Sequence, residues 1–342
     1  MRSRGAPPNL NRVIIDGGLP GPPARKWTLH PMTREEFRNM ENRHERLATL
    51  LVATDFSRGA EYAVARAVRL PLATRATVQL LHVLPDDMPR KIRSRVEERA
   101  WLQLKQAASS ATRTAQTAGN PQLVVTPKVV YGQAYIEIIR NARTSAADLV
   151  VNGRHGRRGI RDLLIGSTAI RVIRKGDIPV LLVNRKPLKT YLRPLVAIGL
   201  EDTSRAVLEL ARRVLDPALA SIPVVHAYWP PFEGAVLATL TPKEVPEYHR
   251  GFKRKADSDL KQILASFTDP GFRWRAVVRR GDPRSVVLDE AVHRRSDLIV
   301  VGTHARSGLS HALLGSVAEW LIRVARCDVL VARPSRFSFQ LP

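Results

Sequence analysis

Three glycines and a serine with regular spacing mark the part of this sequence best suited to chemistry. Gly153 and Gly156 follow a short apolar run, and Gly166-Ser167 follow after nine further residues. Glycines let backbone N–H groups approach phosphate oxygens without an intervening Cβ, and a helix that begins at Gly166 presents unpaired N–H groups to an anion. The pattern predicts a phosphate-binding loop, with Thr168 in the first helical turn. The alternative is that these glycines only form tight turns.

The same loop occurs a second time near the C-terminus, with one glycine replaced. The matching positions, 149 residues further on, are Gly302, Ala305, Gly315 and Ser316. Nearer the start of each copy the offset falls to 144, because Leu51-Val52-Ala53 matches Leu195-Val196-Ala197. The second copy therefore has about five extra residues, which the matching segments place between its second and third strands.

Short apolar runs alternate with helical patterns in each copy, as in a parallel sheet covered by helices on both faces. Strands are predicted at 49–54, 77–84, 123–130, 148–152 and 179–183, and again near 194–199, 222–228, 272–279, 297–301 and 328–332. Helices are predicted at 57–70, 90–118, 134–145 and 167–175. The predicted fold is α/β and Rossmann-like, with two tandem open five-stranded parallel sheets.

The repeat divides the chain into four parts. Residues 1–46 form a basic, Pro-rich N-terminal arm, in which Thr33 and Glu36 fit a capping box and predict a short helix. The first domain is placed at 47–187, the second at 188–335, and a tail at 336–342. The short basic connection between the copies predicts two domains packed side by side.

With these motifs the sequence resembles the universal stress protein (UspA-like) family, in tandem form, over residues 47 to 334. The resemblance rests on Val52-Ala-Thr-Asp-Phe-Ser57, Gly153 to Ser167, Ile178-Pro-Val-Leu-Leu-Val183, Val301-Gly-Thr-His304, Leu313-Leu-Gly-Ser-Val-Ala318 and Val329-Leu-Val331. It implies a five-stranded parallel α/β fold, a stress-response role, and membership of either an ATP-binding or a non-binding branch.

The resemblance also implies an adenine-nucleotide site in the first copy. Asp55 would lie near the ribose and adenine, and Val83 would contact adenine through its backbone. The full set of implied site residues is Ala53, Thr54, Asp55, Val83, Asn152, Gly153, Gly156, Gly166, Ser167 and Thr168. Asp55 fits equally well as a helix cap before Ser57, and the sequence does not separate these two roles.

The second copy departs from this pattern at two positions. Gly199 replaces the carboxylate of Asp55, and Ala305 replaces Gly156. The remaining residues, Gly302, Gly315, Ser316 and Val317, form a degenerate site. We therefore expect ATP (with Mg²⁺ as an option), or AMP or ADP, in the first domain only, and a mainly structural or regulatory second domain.

Bulk composition limits the partners. The net charge of +24 suits polyanions, but the arginines are scattered, so nucleic acid and anionic membranes are kept as less favoured partners than the nucleotide. No apolar run is long enough to span a membrane, and no secretory signal is evident, so a cytoplasmic location is expected. The single Cys327 excludes an internal disulfide and a cysteine-based metal cage, and no metal site is predicted.

No catalytic set accompanies Asp55, because the sequence offers neither a second carboxylate nor a convincing base. Nucleotide binding with weak or no hydrolysis is favoured, and two alternatives stay open: a slow ATP hydrolase, and a scaffold that binds no nucleotide and acts through dimerisation and anionic partners. His82 and His226 are interpreted as structural or pocket-lining residues, and Trp320 as a core or interface residue. The resemblance further implies that 179–183 and 328–332 pair antiparallel, giving an intramolecular pseudo-dimer; a further homodimer is left open.

Overall fold

The computed structural model describes residues 46–154, 166–200, 203–267, 272–303 and 314–333. The first copy contains β1 (Leu47–Ala53), α1 (Arg58–Ala67), β2 (Leu72–Leu84), α2 (Arg90–Thr117), β3 (Val124–Tyr131), α3 (Ala134–Thr144), β4 (Leu149–Gly153), α4 (Ser167–Lys175) and β5 (Val180–Val183). The second contains β6 (Pro194–Ala197), α5 (Thr203–Val214), β7 (Ile222–Tyr228), α6 (Glu233–Leu237), α7 (Val245–Ser266), β8 (Trp274–Arg280), α8 (Pro283–His293), β9 (Leu298–Gly302), α9 (Ser316–Val324) and β10 (Asp328–Ala332).

The strands of both copies join into one sheet in the order β3-β2-β1-β4-β5-β10-β9-β6-β7-β8. Pairing within each copy is parallel, as predicted, while β5 and β10 pair antiparallel, with Leu181 opposite Leu330. The expected pairing of the fifth strands within one chain is therefore confirmed. The two five-stranded sheets of the prediction are the halves of one ten-stranded sheet.

Apolar residues lie on both faces of this sheet, which explains why the strands read as continuous hydrophobic runs. Leu50 and Val52 pack into one buried cluster, whereas Leu51 between them packs into another. Successive strand residues point to opposite faces, so the two clusters are the cores on either side of the sheet. Both clusters contain residues from both copies, and the copies therefore share their cores.

Two local features differ from the sequence-based expectation. β2 begins at Leu72, five residues before the predicted Thr77. Trp320 is 42% exposed, so of its two expected roles, core or interface, the core role is wrong. The connection from Pro230 to Pro246 contains the short helix α6 and the start of the long helix α7. The predicted helix in the N-terminal arm lies outside the described residues.

Equivalent hydrogen bonds show that the duplication extends to single side chains. Asp148 Oδ2 accepts from the N–H groups of residues 48–49 at 2.8 and 3.0 Å. Asp297 accepts from the N–H groups of residues 192–193 at 2.7 and 3.0 Å. These carboxylates lie 149 residues apart and their partners 144 apart, so the structure reproduces both offsets found in the sequence.

A buried carboxylate ties the two copies together. Asp328, 1% exposed at the start of β10, accepts from Arg66 Nε of α1 at 3.1 Å and from the Tyr191 hydroxyl at 2.7 Å. The backbone N–H groups of Asn184 and Arg185 donate to it at 2.8 and 3.3 Å. Burial, together with the neighbouring Asp328, raises the pKa of Tyr191 well above its ordinary value, which keeps its hydroxyl protonated as a donor.

Further contacts join the two halves of the sheet. Arg213 Nη2 lies 2.6 Å from Asp148 Oδ1, and Arg46 Nη1 donates to the carbonyl of Leu215 at 2.6 Å. The Arg66 guanidinium also lies 4.0 Å from the centre of the Tyr191 ring, close enough for a cation–π contact. The second copy and the connecting segment therefore hold the first copy by charge and by packing. None of the helices in the described ranges is both long and apolar enough to cross a membrane.

We predict that Asp328→Asn destabilises the chain by about 3–5 kcal/mol, because it leaves the buried Arg66 guanidinium without its carboxylate. Urea unfolding measures this change. The control is Asp257→Asn, which removes a more exposed pair with Lys261 and is expected to cost less than about 1 kcal/mol. Equal effects of the two substitutions would contradict the importance of the buried cluster.

Candidate functional site

The carboxyl ends of β1, β2 and β4 form the edge at which the predicted site residues of the first copy meet. β1 lies between β2 and β4, and the chain leaves β1 toward β2 but reaches β4 by a crossover. Such a switch point leaves a crevice outside the strand ends, where open α/β sheets bind ligands. The register places Ala53 beside Leu81 and Val52 beside Val151, so the turn after β1 faces the ends of both neighbouring strands.

The turn after β1 is built by its own side chains. Thr54 Oγ1 accepts from the N–H of Phe56 at 3.1 Å, and Asp55 Oδ1 accepts from the N–H of Ser57 at 3.0 Å. Ser57 in turn caps α1 by accepting from the N–H of Ala60 at 3.3 Å. The helix cap is therefore Ser57, and Asp55 stabilises the turn that precedes it rather than capping α1 itself.

A histidine holds this turn against β2. His82 Nδ1 lies 2.7 Å from the carbonyl oxygen of Thr54, and its ring lies 4.4 Å from that of Phe56. Because a carbonyl only accepts, Nδ1 carries the proton here. In the second copy His226 Nδ1 lies 3.2 Å from the carbonyl of Ile198. The two histidines share a structural role, and the described ranges contain no His/Cys/Asp/Glu cluster that could hold a metal ion.

The backbone of Val83 faces the space that opens where β1 ends. Leu81 O accepts from Thr54 N at 2.9 Å, so the polar groups of Leu81 face β1; Leu84 O accepts from Gly132 N at 2.9 Å on the β3 side. Alternate residues of a strand direct their N–H and C=O groups to the same neighbour. Val83 therefore directs its N–H and C=O toward the β1 side, beyond the last β1 residue.

Gly153 is required for a reason that the sequence did not suggest. A Cβ at this position would lie 2.4 Å from the carbonyl carbon of Gly59 and 2.9 Å from Ala60 N. The end of β4 therefore packs directly on the backbone of the first turn of α1. This packing alone explains why residue 153 is a glycine, without a bound phosphate.

The start of α4 offers donors at the same edge. Its N-cap is Gly166, no side chain caps it, and its first turn contains no acidic residue. Ser167 is exposed and Thr168 half-buried. The first N–H groups and the positive end of the helix dipole are therefore directed outward, which favours an anion.

Asn152 completes the floor of the crevice at the end of β4. It is 4% exposed, and its Oδ1 has no hydrogen-bond partner among the described residues. The matching position in the second copy is Val301, which offers no polar side chain. The predicted residues Gly156 and Ala305, and the loop histidines His155 and His304, lie outside the described ranges.

The side chain of Arg154, the residue after Gly153, is buried against the second copy. Its Nη1 donates to the carbonyl of Ala325 at 2.6 Å, and its Nη2 donates to the carbonyl of Arg323. A contact between residues 171 positions apart leaves no local pattern from which it could be inferred.

The degenerate site of the second copy keeps the backbone frame and changes the side chains. Gly302 ends β9, and Gly315, Ser316 and Val317 open α9. Glu319 lies in the first turn of α9 and pairs with Arg323 at 2.9 Å. The same carboxylate lies 2.7 Å from Arg174 of α4, so arginines of both copies engage it, whereas the first turn of α4 contains no acidic residue.

A doubly wound parallel sheet with a crevice at its switch point defines a Rossmann-like α/β protein. The universal stress protein family matches residues 47–184 and 190–333. The chain belongs to this family, as a tandem of two copies.

Related proteins agree with this membership. Universal stress protein E of Escherichia coli (strain K12) is 28% identical over 224 residues, covering 61% of this chain and 68% of that protein. The universal stress protein E homolog of Haemophilus influenzae is 24% identical, covering 84% and 97%. A crystal structure of a universal stress protein from Archaeoglobus fulgidus has a TM-score of 0.59 at 17% identity, covering 83% and 98%, and supports the fold.

We predict that Gly153→Ala destabilises the chain by about 1–3 kcal/mol without any ligand, because the new Cβ overlaps backbone atoms of α1. Urea unfolding in nucleotide-free buffer measures it. As a control, Gly251→Ala lies within α7 where a Cβ meets nothing within 4 Å, and it should stabilise by about 0.5–1 kcal/mol. An unchanged stability of Gly153→Ala would show that the packing at α1 adjusts freely.

Proposed function

We propose that the first copy binds an adenine nucleotide, with ATP as the main ligand, at the carboxyl edge of β1, β2 and β4, and that the protein uses this binding in a stress response. The observation that carries the proposal is the backbone of Val83, which is directed toward the β1 side beyond the last paired residue of β1, into the strand-end gap beside the Asp55 turn. The second copy is assigned a structural or regulatory role.

The gap beside Val83 suits an adenine ring. One backbone N–H and one C=O directed to the same side offer a donor and an acceptor to the ring edge. The half-buried carboxylate of Asp55, at the neighbouring strand end, can accept hydrogen bonds from ribose hydroxyls. Base and sugar would therefore lie side by side across the ends of β1 and β2.

The phosphates would lie at the start of α4. Ser167 and Thr168, which follow the N-cap Gly166, present the first N–H groups of a helix without a side-chain cap, and Ser167 adds a hydroxyl donor. Backbone donors at a helix N-terminus bind anions without a charged side chain. The exposed position of Ser167 leaves room for a chain of phosphates that extends toward solvent.

The second copy keeps the gap but lacks the ribose partner. Ala227 occupies the position of Val83, and Gly199 that of Asp55. In the connection between β7 and β8, the buried carboxylate of Glu233 lies 2.7 Å from His249 Nε2 and 3.0 Å from Arg280 Nη2. These contacts hold the connection against the end of β8. One nucleotide per chain is the expected stoichiometry.

Binding with slow or no hydrolysis fits these residues best. Phosphoryl transfer needs groups that position the attacking water and neutralise charge on the transferred phosphate. Asp55 supplies one carboxylate and is already engaged in its turn. Mg²⁺ would then be bound mainly by the nucleotide phosphates.

The direct test is mass spectrometry of small molecules released from the purified, denatured full chain, followed by isothermal titration with ATP, ADP and AMP. One solved universal stress protein is a complex with cAMP, so cAMP belongs among the ligands tested. An adenine nucleotide bound once per chain supports the proposal. No bound molecule and no affinity for any of the four would overturn it and favour the scaffold alternative.

We predict that Asp55→Asn weakens ATP binding about 10- to 100-fold, because it keeps the Oδ1 acceptor of the turn but loses the charge facing the ribose. Asp55→Ala, which loses both, should abolish measurable binding. The matched control is Asp216→Asn, since Asp216 Oδ1 also accepts from the N–H two residues on, at 2.9 Å, far from the crevice. An unchanged ATP affinity of Asp55→Asn would show that Asp55 only stabilises the turn and does not bind the ribose.

From the sequence we further expect Gly156→Val to abolish ATP binding, because a branched side chain would block the approach of the loop backbone to the phosphates. The same change in the second copy, Ala305→Val, should leave the affinity within about twofold. Both are measured by titration of the full chain. If the two variants lose affinity equally, the assignment of the nucleotide to the first copy is wrong.

A further inference from the structure

Arg154 connects the candidate site to the other copy. It follows Gly153 directly, and its side chain runs to the end of α9, where the carbonyls of Arg323 and Ala325 accept from its guanidinium. Only 7% of the residue is exposed. A first-copy residue thus caps the C-terminus of a second-copy helix.

Burying the charged guanidinium of Arg154 costs free energy that a contact made only for packing would not require. Burial lowers the pKa of the Arg154 guanidinium, and Nε has no hydrogen-bond partner among the described residues. Among the described residues, both side-chain hydrogen bonds of Arg154 go to carbonyls at the negative end of the α9 dipole, and neither goes to a carboxylate. An apolar side chain would pack a buried boundary at lower cost, so the charge calls for another explanation.

The backbone of Arg154 closes the base of the glycine loop. Its N–H donates to the carbonyl of Val183 at 2.9 Å, and its carbonyl accepts from the N–H of Gly166 at 2.9 Å. The second copy repeats both bonds with Thr303, which carries no charge. The residue that fixes both ends of the first-copy loop is therefore anchored in the second copy.

We propose that Arg154 is a positioning residue that couples nucleotide binding in the first copy to the seating of α9 in the second. The inference rests on the proposed function and adds a role for the second copy, which is to hold the phosphate loop of the first. Coupling of this kind is reciprocal, so the nucleotide must also stabilise the end of α9.

The test compares Arg154→Thr, which copies the second-copy residue, with Asn184→Ala in the full-length protein. Asn184 Nδ2 donates to the same carbonyl of Ala325 at 2.9 Å but lies outside the glycine loop. Isothermal titration should show ATP affinity at least fivefold lower in Arg154→Thr, and within twofold of the original protein in Asn184→Ala. The midpoint temperature of thermal unfolding is expected to fall in both variants. A loss of stability can therefore be told apart from a loss of ATP affinity.

Hydrogen exchange of the unsubstituted protein gives a second measurement if Arg154→Thr fails to fold. ATP should slow exchange of the Ala325 amide, which donates to the carbonyl of Leu321 at 2.9 Å at the end of α9. Unchanged exchange there, or equal ATP affinity of Arg154→Thr and the original protein, overturns the coupling while leaving the proposed function intact. If the original protein binds no adenine nucleotide, the proposed function fails first and the coupling fails with it.

Discussion

The buried carboxylate of Asp328 is the interaction on which the arrangement of the two copies depends. It accepts from Arg66 of the first copy, from Tyr191, and from the backbone of the segment that connects the copies. The repeat places Pro179 at the matching position of the first copy, so one half alone supplies this charge. A buried ion pair adds little net stability over apolar packing, but it penalises any register that leaves a charge unpaired. The antiparallel pairing of β5 with β10 is fixed in this way.

The two halves share one backbone arrangement but carry different side chains near the carboxyl ends of their strands. The strand order, the histidine bonds to the turn after the first strand, and the carboxylate caps of Asp148 and Asp297 are the same in both. Two of the substitutions follow directly on strands at the carboxyl edge: Asp55 against Gly199 after the first strand, and Arg154 against Thr303 after the fourth. Since the backbone is shared, the proposed division between a binding half and a supporting half depends on a few side chains.

Much of the fold could be predicted from the sequence because the central strands are buried on both faces and most of the longer helices have an apolar stripe. Strand bounds agree within two residues except at the start of β2, where polar, exposed residues such as Arg75 hide the pattern. Pro246 reads as a breaker, although it stands in the first turn of α7, where proline is tolerated. The site was harder to predict. Close approach of Gly59 to Gly153, and the direction of Arg154, depend on residues far apart in sequence.

The joining of β5 and β10 within one polypeptide has a consequence for how the protein behaves on dilution. A ten-residue connection, 184–193, keeps the two halves near each other, so their association is intramolecular and its effective concentration is set by the chain. A pair of separate subunits with the same contacts would come apart as their concentration falls. Here the halves stay paired in a one-to-one ratio at any expression level, and the first copy is always made together with the second.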